Sequence, residues 1–393
     1  MNLNTEELRS RLKRHEGFLA QDPDNLGIVS DVVDLNMQLG ELDRAREIIT
    51  RALSKAPNDP SLKFRQATLA LAGGKADEAI TLLQKLLESG VEAPAIQYNL
   101  AYALMLSGRH AEAKDILESL VNKPDSVPEA PILLARAWHH LGEVEKALTH
   151  MRSYLERHPH NAEALGVVAL LNLDAGNTKK AGEWAEKAVK ENANNLEGLV
   201  TLGSIALDTQ NEIQARNYFN QAVTSHAKSG RAWAGMGLTD MLALDLPKAI
   251  EDLKQAVQYM TNHIGTWHSL AWAQIVSGDL AGAKESFNKA MEIDRNFGET
   301  HGGLAVIAVM EGHLTEADGL LKRALRLDPR SFSARFAQSL MLAHAGKPGA
   351  AQELIGKILS SPAVEGGESL RGILLRTMPH RDGKKNAAEK DKK

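Results

Sequence analysis

A column of alanines recurs along most of this chain at a fixed spacing of 34 residues, with no gap in ten consecutive positions. An unbroken period of this length is typical of a protein built from stacked copies of one small unit. In such a protein each unit buries its apolar surface mainly against its neighbours. The alanines are Ala45, Ala79, Ala113, Ala147, Ala181, Ala215, Ala249, Ala283, Ala317 and Ala351.

A second column, five residues before each alanine, is glycine in eight of its ten positions. Within each 34-residue unit, apolar or small residues at positions 4, 7, 8 and 11 have helical spacing. The glycine at position 15 supplies a left-handed turn, and small residues at positions 20 and 27 mark a second helix. Each unit is therefore predicted to be a pair of antiparallel helices. The pattern does not predict the turn geometry of the two units in which Gln210 and Leu244 replace the glycine.

The pattern resembles the tetratricopeptide repeat family over about 340 residues. Besides the small-residue columns, the resemblance rests on two tryptophans at position 4, two phenylalanines at position 24 and three prolines at position 32. The resemblance implies an all-α fold, an α-solenoid in which ten antiparallel helix pairs form a right-handed superhelix. The residues that carry it are Trp233, Trp267, Phe219, Phe287, Pro57, Pro159 and Pro329.

This register divides the chain into four parts. Residues 1–25 are predicted to hold a capping helix, residues 26–365 the ten repeats, and residues 366–379 a second capping helix. The caps are expected to cover the apolar ends of the array. Residues 380–393 contain no large apolar residue and are predicted to be a disordered basic tail.

In the family that this chain resembles, the first helix of each repeat lines an inner groove that holds peptide segments of partners. Positions 5, 9, 12 and 13 supply forty side chains here, of which four are formally charged, fewer than the chain average of 24% predicts. A cluster in repeats 2 to 4 combines aromatic rings, an amide and two guanidinium groups, which suits an extended peptide. Ordinary packing is the alternative. The predicted peptide-binding residues are Phe64, Arg65, Tyr98, Asn99, Tyr102, Arg136, His139 and His140.

A second cluster on the same helix face, in repeats 7 to 10, is more apolar and suits an amphipathic helix laid in a groove. Packing between helices is the alternative for this cluster too. Its members are Leu238, His268, Trp272, Val306, Met310, Phe336 and Leu340.

Motifs for catalysis or cofactor binding are missing from the sequence. There is no cysteine, no glycine-rich phosphate loop and no HExxH pair, so no catalytic residue, cofactor or metal site is predicted. The net charge of −4 disfavours a nucleic-acid coat protein. No apolar stretch is long enough for a signal peptide core or a membrane span, which favours a cytoplasmic protein.

The sequence thus predicts a scaffold or adaptor without enzymatic activity, which binds a peptide or helix of a partner protein. One alternative is a chaperone-like escort for a secretion or envelope-assembly system. Another is a non-catalytic regulatory subunit of an enzyme such as a glycosyltransferase. Self-association through exposed repeat ends is a further possibility that the sequence leaves open.

Overall fold

The computed structural model describes residues 5–123 and 127–360, and within these residues every regular element is an α-helix. The helices fall into two compact units, unit 1 within Met1–Ala193 and unit 2 within Asn194–Lys393. The last residues of the tenth repeat, the second capping helix and the basic tail predicted above lie outside the described residues.

Unit 1 contains eleven described helices, in which a lone helix is followed by alternating first and second helices. These are α1 (Thr5–Gln21), α2 (Leu26–Gln38), α3 (Leu42–Lys55), α4 (Pro60–Ala72), α5 (Ala76–Glu88), α6 (Pro94–Leu106), α7 (His110–Val121), α8 (Ala130–His140), α9 (Val144–Arg157), α10 (Ala162–Asp174) and α11 (Thr178–Glu191).

Unit 2 contains ten described helices in the same alternation. These are α12 (Leu196–Asp208), α13 (Glu212–Ser225), α14 (Gly230–Leu242), α15 (Leu246–Tyr259), α16 (Ile264–Ser277), α17 (Leu280–Ile293), α18 (Gly298–Met310), α19 (Leu314–Leu327), α20 (Phe332–His344) and α21 (Pro348–Ser360).

The starts of the first helices follow the sequence period. Nine of them begin at the first residue of a predicted repeat, and α8 begins at Ala130, two residues after Pro128. Six follow an Asn, Asp or Ser whose side chain accepts a hydrogen bond from a backbone N–H of the first turn, which satisfies a donor that the helix cannot. These capping residues are Asn25, Asp59, Asn161, Asn195, Ser229 and Ser331.

The core lies between the helices of each pair and of neighbouring pairs. Every alanine of the 34-residue column is at most 5% exposed, so these residues mark where helix backbones approach most closely. In α1, Leu12 is buried in the same cluster as Val29 and Val33 of α2.

The turns between paired helices share one backbone conformation. The glycines of the second column have φ between 73° and 88°. Gln210 and Leu244 adopt the same left-handed region, with φ of 57° and 61°. The hydrogen bond from Asp245 N to Asp240 O, 2.9 Å, matches the bond that closes the glycine turns. The packing of the helices therefore imposes the turn even where the residue disfavours it.

Candidate functional site

Tyr98 and Tyr102 of α6 and Arg136 of α8 form a surface on the first helices of unit 1, here called the tyrosine face. Tyr102 is 41% exposed, whereas Tyr98 is half-buried against the core. Burial, with the nearby carboxylates of Glu129 and Glu163, raises the pKa of Tyr98 to about 12. Its hydroxyl therefore stays protonated at neutral pH and can donate a hydrogen bond.

Polar side chains link successive first helices beside this face. Arg65 donates two hydrogen bonds to Asp34 of α2, at 3.0 and 2.8 Å. Arg136 donates to Glu163 of α10 at 2.7 Å. Both predicted guanidinium groups therefore already have carboxylate partners within unit 1, and a carboxylate of a bound peptide has to compete with them.

The remaining residues of the first predicted cluster lie in different surroundings. Asn99 contacts the Thr68 hydroxyl at 3.4 Å, and Phe64 packs against the core. His139 shares a hydrogen bond of 2.7 Å with Asp174. These three residues are partly buried and add little exposed surface to the face.

His140 differs from the rest of this cluster because it stacks on a second helix. Its ring lies parallel to that of His110, the first residue of α7, with 4.3 Å between centroids. Burial lowers the pKa of His110, which keeps the stacked pair free of charge repulsion at neutral pH. Within residues 5–123 and 127–360 no three His, Asp or Glu side chains are placed to hold a metal ion.

An aromatic cluster on the first helices of unit 2, here called the aromatic face, joins Trp272 of α16 to Phe332 and Phe336 of α20. The two phenylalanine rings are stacked, with centroids 6.2 Å apart and 4° between planes. The Trp272 ring lies 6.0 Å from Phe332 and 6.1 Å from Phe336. Phe332 is 42% exposed although two aromatic rings contact it.

Phe332 was not among the predicted site residues because it occupies position 1 of its repeat, outside the positions assigned to the groove. Phe332 is held in this position by contacts between α18 and the start of α20. The Glu299 carboxylate accepts hydrogen bonds from the backbone N–H groups of Phe332 and Ser333, at 2.6 and 3.0 Å. A Cβ at Gly302 would lie 2.5 Å from the nitrogen of Ala334, so only glycine allows α20 this close. The carboxylate at position 2 and the glycine at position 5 of the preceding repeat are the sequence signals from which the position of Phe332 could have been predicted.

His268 borders the aromatic face and has a packing role. Its ring meets Phe287 and Phe297 edge-on, at centroid distances of 5.1 and 5.4 Å, and it shares a hydrogen bond of 2.8 Å with Thr300. Burial lowers the pKa of His268 to about 4, so the imidazole is neutral at physiological pH. Phe297, which is exposed and was not predicted from the sequence, is position 34 of the repeat that contains His268.

The other members of the second predicted cluster are divided between surface and interior. Leu238 and Met310 are exposed. Leu340 is partly buried against α18 and α19. Val306 is completely buried, because α20 packs closely on α18. Val306 therefore belongs to the core and offers no surface to a partner.

No helix among residues 5–123 and 127–360 combines the length and apolar character needed to cross a bilayer.

Comparison with protein families gives three models, each described as tetratricopeptide repeat. They match residues 64–131, 134–195 and 303–356, residues 12–64, and residues 264–297, more than half of the chain in total. The chain matches no curated protein by sequence.

Solved structures with a similar fold include the Cut9–Hcn1 hetero-tetramer of APC/C, with a TM-score of 0.62 and 15% identity. That match covers 80% of this chain and 62% of the other, so this chain spans less than two thirds of its relative. A human IFIT1 dimer with m7Gppp-AAAA matches with a TM-score of 0.54 and 16% identity, over 91% of this chain and 95% of that one. At these identities the likeness concerns the fold alone. The helix pairs and the three family matches agree, and the chain belongs to the tetratricopeptide repeat family.

Proposed function

We propose that this chain is a non-catalytic scaffold that binds a segment of a partner protein on its first-helix face. Membership of the tetratricopeptide repeat family supports the general role, since arrays of this kind present long surfaces for protein partners. The proposal includes a cytoplasmic location, which stays a prediction. The alternatives of a chaperone-like escort and of a regulatory subunit use the same kind of surface.

The observation that carries the proposal is the aromatic face. Exposed large rings at the centre of a rigid surface are the side chains that contribute most to protein interfaces. Trp272 and Phe336 are partly buried and pack against the core, whereas Phe332 is exposed to solvent beside them. A partner helix with one apolar stripe would cover Phe332 and bury rings that are already ordered, so little side-chain entropy is lost on binding.

The test compares two exposed apolar residues, one on each kind of helix. Phe332→Ser removes a ring from the aromatic face. Ile213→Ser removes an exposed side chain from α13, a second helix. Each variant, after its helicity and melting are matched to those of the native chain, is used to capture partners from the source cell.

A photoreactive phenylalanine analogue at residue 332 or 213 then identifies what lies against each position. We expect one partner to be cross-linked at residue 332, with recovery reduced about tenfold by Phe332→Ser and unchanged by Ile213→Ser. Equal recovery with both variants would show that the aromatic face is not the binding surface.

The tyrosine face is a second candidate site, for an extended segment. Tyr102 is exposed beside the neutral hydroxyl of Tyr98, which suits contact with a peptide backbone. Tyr102→Ala is expected to weaken partner binding. Tyr259→Ala, which removes an equally exposed tyrosine at the end of α15, is expected to leave it unchanged.

A nucleic-acid ligand is disfavoured by the net charge of −4, although the similar IFIT1 structure contains m7Gppp-AAAA. Self-association remains an alternative occupant of the aromatic face. A mass that rises with protein concentration in the native chain but not in Phe332→Ser would identify it.

A further inference from the structure

A groove on the second-helix side of unit 1 has no role in the proposed scaffold function. It lies between α9 and α11, two successive second helices, and encloses about 600 Å³. Its floor is apolar and is formed by Leu155, Leu165 and the indole of Trp184. Volumes of this order are typical of sites for small molecules.

Three cations surround this apolar floor: Arg152 of α9 and Lys187 and Lys190 of α11. None of the three has an ion-pair partner within the described part of the chain. The ammonium of Lys187 lies 4.4 Å from the centre of the Trp184 ring, so a positive charge and an aromatic surface are adjacent.

Two carboxylates also line the groove. Glu191 accepts a hydrogen bond of 2.8 Å from His160, at the end of the groove formed by the C-termini of α9 and α11. Glu156 is exposed on the rim. Three Lys and Arg side chains against two Glu side chains leave the groove lining with one net positive formal charge, and the three cations are available to an anion.

Two other grooves of the same kind lack this combination. Between α7 and α9, the indole of Trp138 donates a hydrogen bond to Glu118 at 3.2 Å, which places a carboxylate at the aromatic wall. Between α1 and α3, Arg44 pairs with Glu16 and Lys55 pairs with Asp24. The α9–α11 groove therefore differs in chemistry and not in its place within the repeat.

We propose that the groove between α9 and α11 binds a small amphipathic organic anion. The apolar body of the ligand packs between Trp184 and Leu155, and its carboxylate is held by Arg152, Lys187 and Lys190. A compact ligand fits better than a partner helix because the His160–Glu191 hydrogen bond spans the end of the groove. The site is independent of the first-helix faces and of the partner proposed for them.

The test uses 2-naphthoate and its uncharged analogue 2-naphthol as probes, with the full chain at neutral pH and isothermal titration calorimetry. We expect one saturable site for 2-naphthoate and about tenfold weaker binding of 2-naphthol. The triple variant Arg152→Gln, Lys187→Gln and Lys190→Gln should reduce naphthoate affinity about tenfold and leave that of naphthol unchanged.

A second triple variant, Lys85→Gln, Lys179→Gln and Lys180→Gln, changes the net charge equally at exposed positions outside the groove, and it should bind naphthoate like the native chain. Trp184→Leu should weaken both probes, with circular dichroism confirming the fold. The proposal is overturned if the two triple variants lose affinity equally, if naphthol binds as tightly as naphthoate, or if the native chain shows no saturable binding below about 1 mM.

Discussion

Unit 1 and unit 2 are built from the same helix pairs but place their polar and aromatic groups differently. In unit 1 the first helices are linked by exposed or half-exposed ion pairs such as Arg65–Asp34, and every turn between paired helices has glycine. In unit 2 the Arg216–Asp240 pair contains a carboxylate with no solvent exposure, the first helices expose Phe332 where unit 1 exposes Tyr102, and two turns lack glycine. Both units follow the same repeat pattern, but unit 2 contains a fully buried carboxylate and two turns without glycine, and both features lower the free energy of unfolding.

The loss of the Arg216–Asp240 pair in unit 2 has the largest expected effect. Arg216 of α13 contacts Asp240, which has no solvent exposure, at 2.6 Å. Arg216→Ala leaves that carboxylate buried without its main counterion, and we expect a loss of about 3 kcal/mol in the free energy of unfolding. In unit 1, Arg136→Ala breaks a pair of similar geometry in which both partners remain partly exposed, and we expect less than about 1 kcal/mol.

Urea denaturation of both variants measures this difference. Asp240→Asn combined with Arg216→Ala should recover part of the stability, because the buried charge is then removed. Equal losses for Arg216→Ala and Arg136→Ala would show that the two units treat their ion pairs alike.

The stability of unit 2 is also expected to depend on pH. Asp252 of α15 is buried beside Asp240, and burial, with the hydrogen bond to that carboxylate, raises the pKa of Asp252 from 3.8 to about 7. Lys248 opposes this effect, and Glu251 adds to it. A raised folded-state pKa means that the folded chain binds a proton that the unfolded chain has released, so stability falls as the pH rises between about 4 and 7.

The expected slope from this group is at most about 1.4 kcal/mol per pH unit. In Asp252→Asn the neutral amide replaces the protonated acid, so the variant should gain stability relative to the native chain as the pH rises through that window. Thermal melting of both proteins from acid to neutral pH tests this. A constant difference between them would exclude Asp252 as the titrating group.

The support beneath the aromatic face gives a third test. Phe287 packs under His268 and Trp272, and a Cβ at Gly303 would lie 2.2 Å from the Phe287 ring. Gly303→Ala should therefore cost about 2 kcal/mol through overpacking and should disturb partner binding at Phe332. The control is Gly319→Ala at an exposed position of α19, where nothing lies within 4 Å of the added Cβ and helix propensity should add about 0.5 kcal/mol.

Chemical denaturation and partner capture are measured on both glycine variants. Replacing Phe287 by Leu in the Gly303→Ala background should restore stability if the clash with the ring is the cause. No recovery in the double variant would assign the cost to the helix backbone instead.

The columns of small residues predicted the helix pairs because a repeated backbone contact demands the same small side chain each time. Ala283 and Ala317 are completely buried for this reason. The repeat pattern identifies Phe219 and Phe287 but not the glycines that accept their rings, Gly235 and Gly303. Each of these contacts joins the phenylalanine at position 24 of one repeat to the glycine at position 6 of the next. A pattern that compares the same position in every repeat does not reveal a contact between two different positions.

The candidate sites were less predictable than the fold. Helical spacing placed Tyr102 and Trp272 on first helices, as the structure has them. It did not reveal that Arg136 pairs with Glu163, since this contact joins different positions of adjacent repeats. The repeat pattern predicts Val306 on the groove surface because it contains no information on how closely α20 approaches α18, and that approach buries the side chain.

The smallest expected effect concerns the turns. Leu244 has a φ of 61° and is 78% exposed, so it bears the strain of a left-handed conformation and gains little from burial. Leu244→Gly removes a cost of about 1–2 kcal/mol and adds about 0.5–1 kcal/mol of unfolded-state entropy, so we expect a net gain of about 0.5 kcal/mol. In the reverse substitution in unit 1, Gly142→Leu, the added Cβ meets no neighbouring atom, and the variant should lose a similar amount. Urea titration of the two variants compares the turns directly, because each exchanges the same two residues in the same conformation. Opposite and equal shifts would show that the turn is imposed by helix packing in both units, whereas a loss of stability in Leu244→Gly would mean that Leu244 makes a contact that offsets its strain.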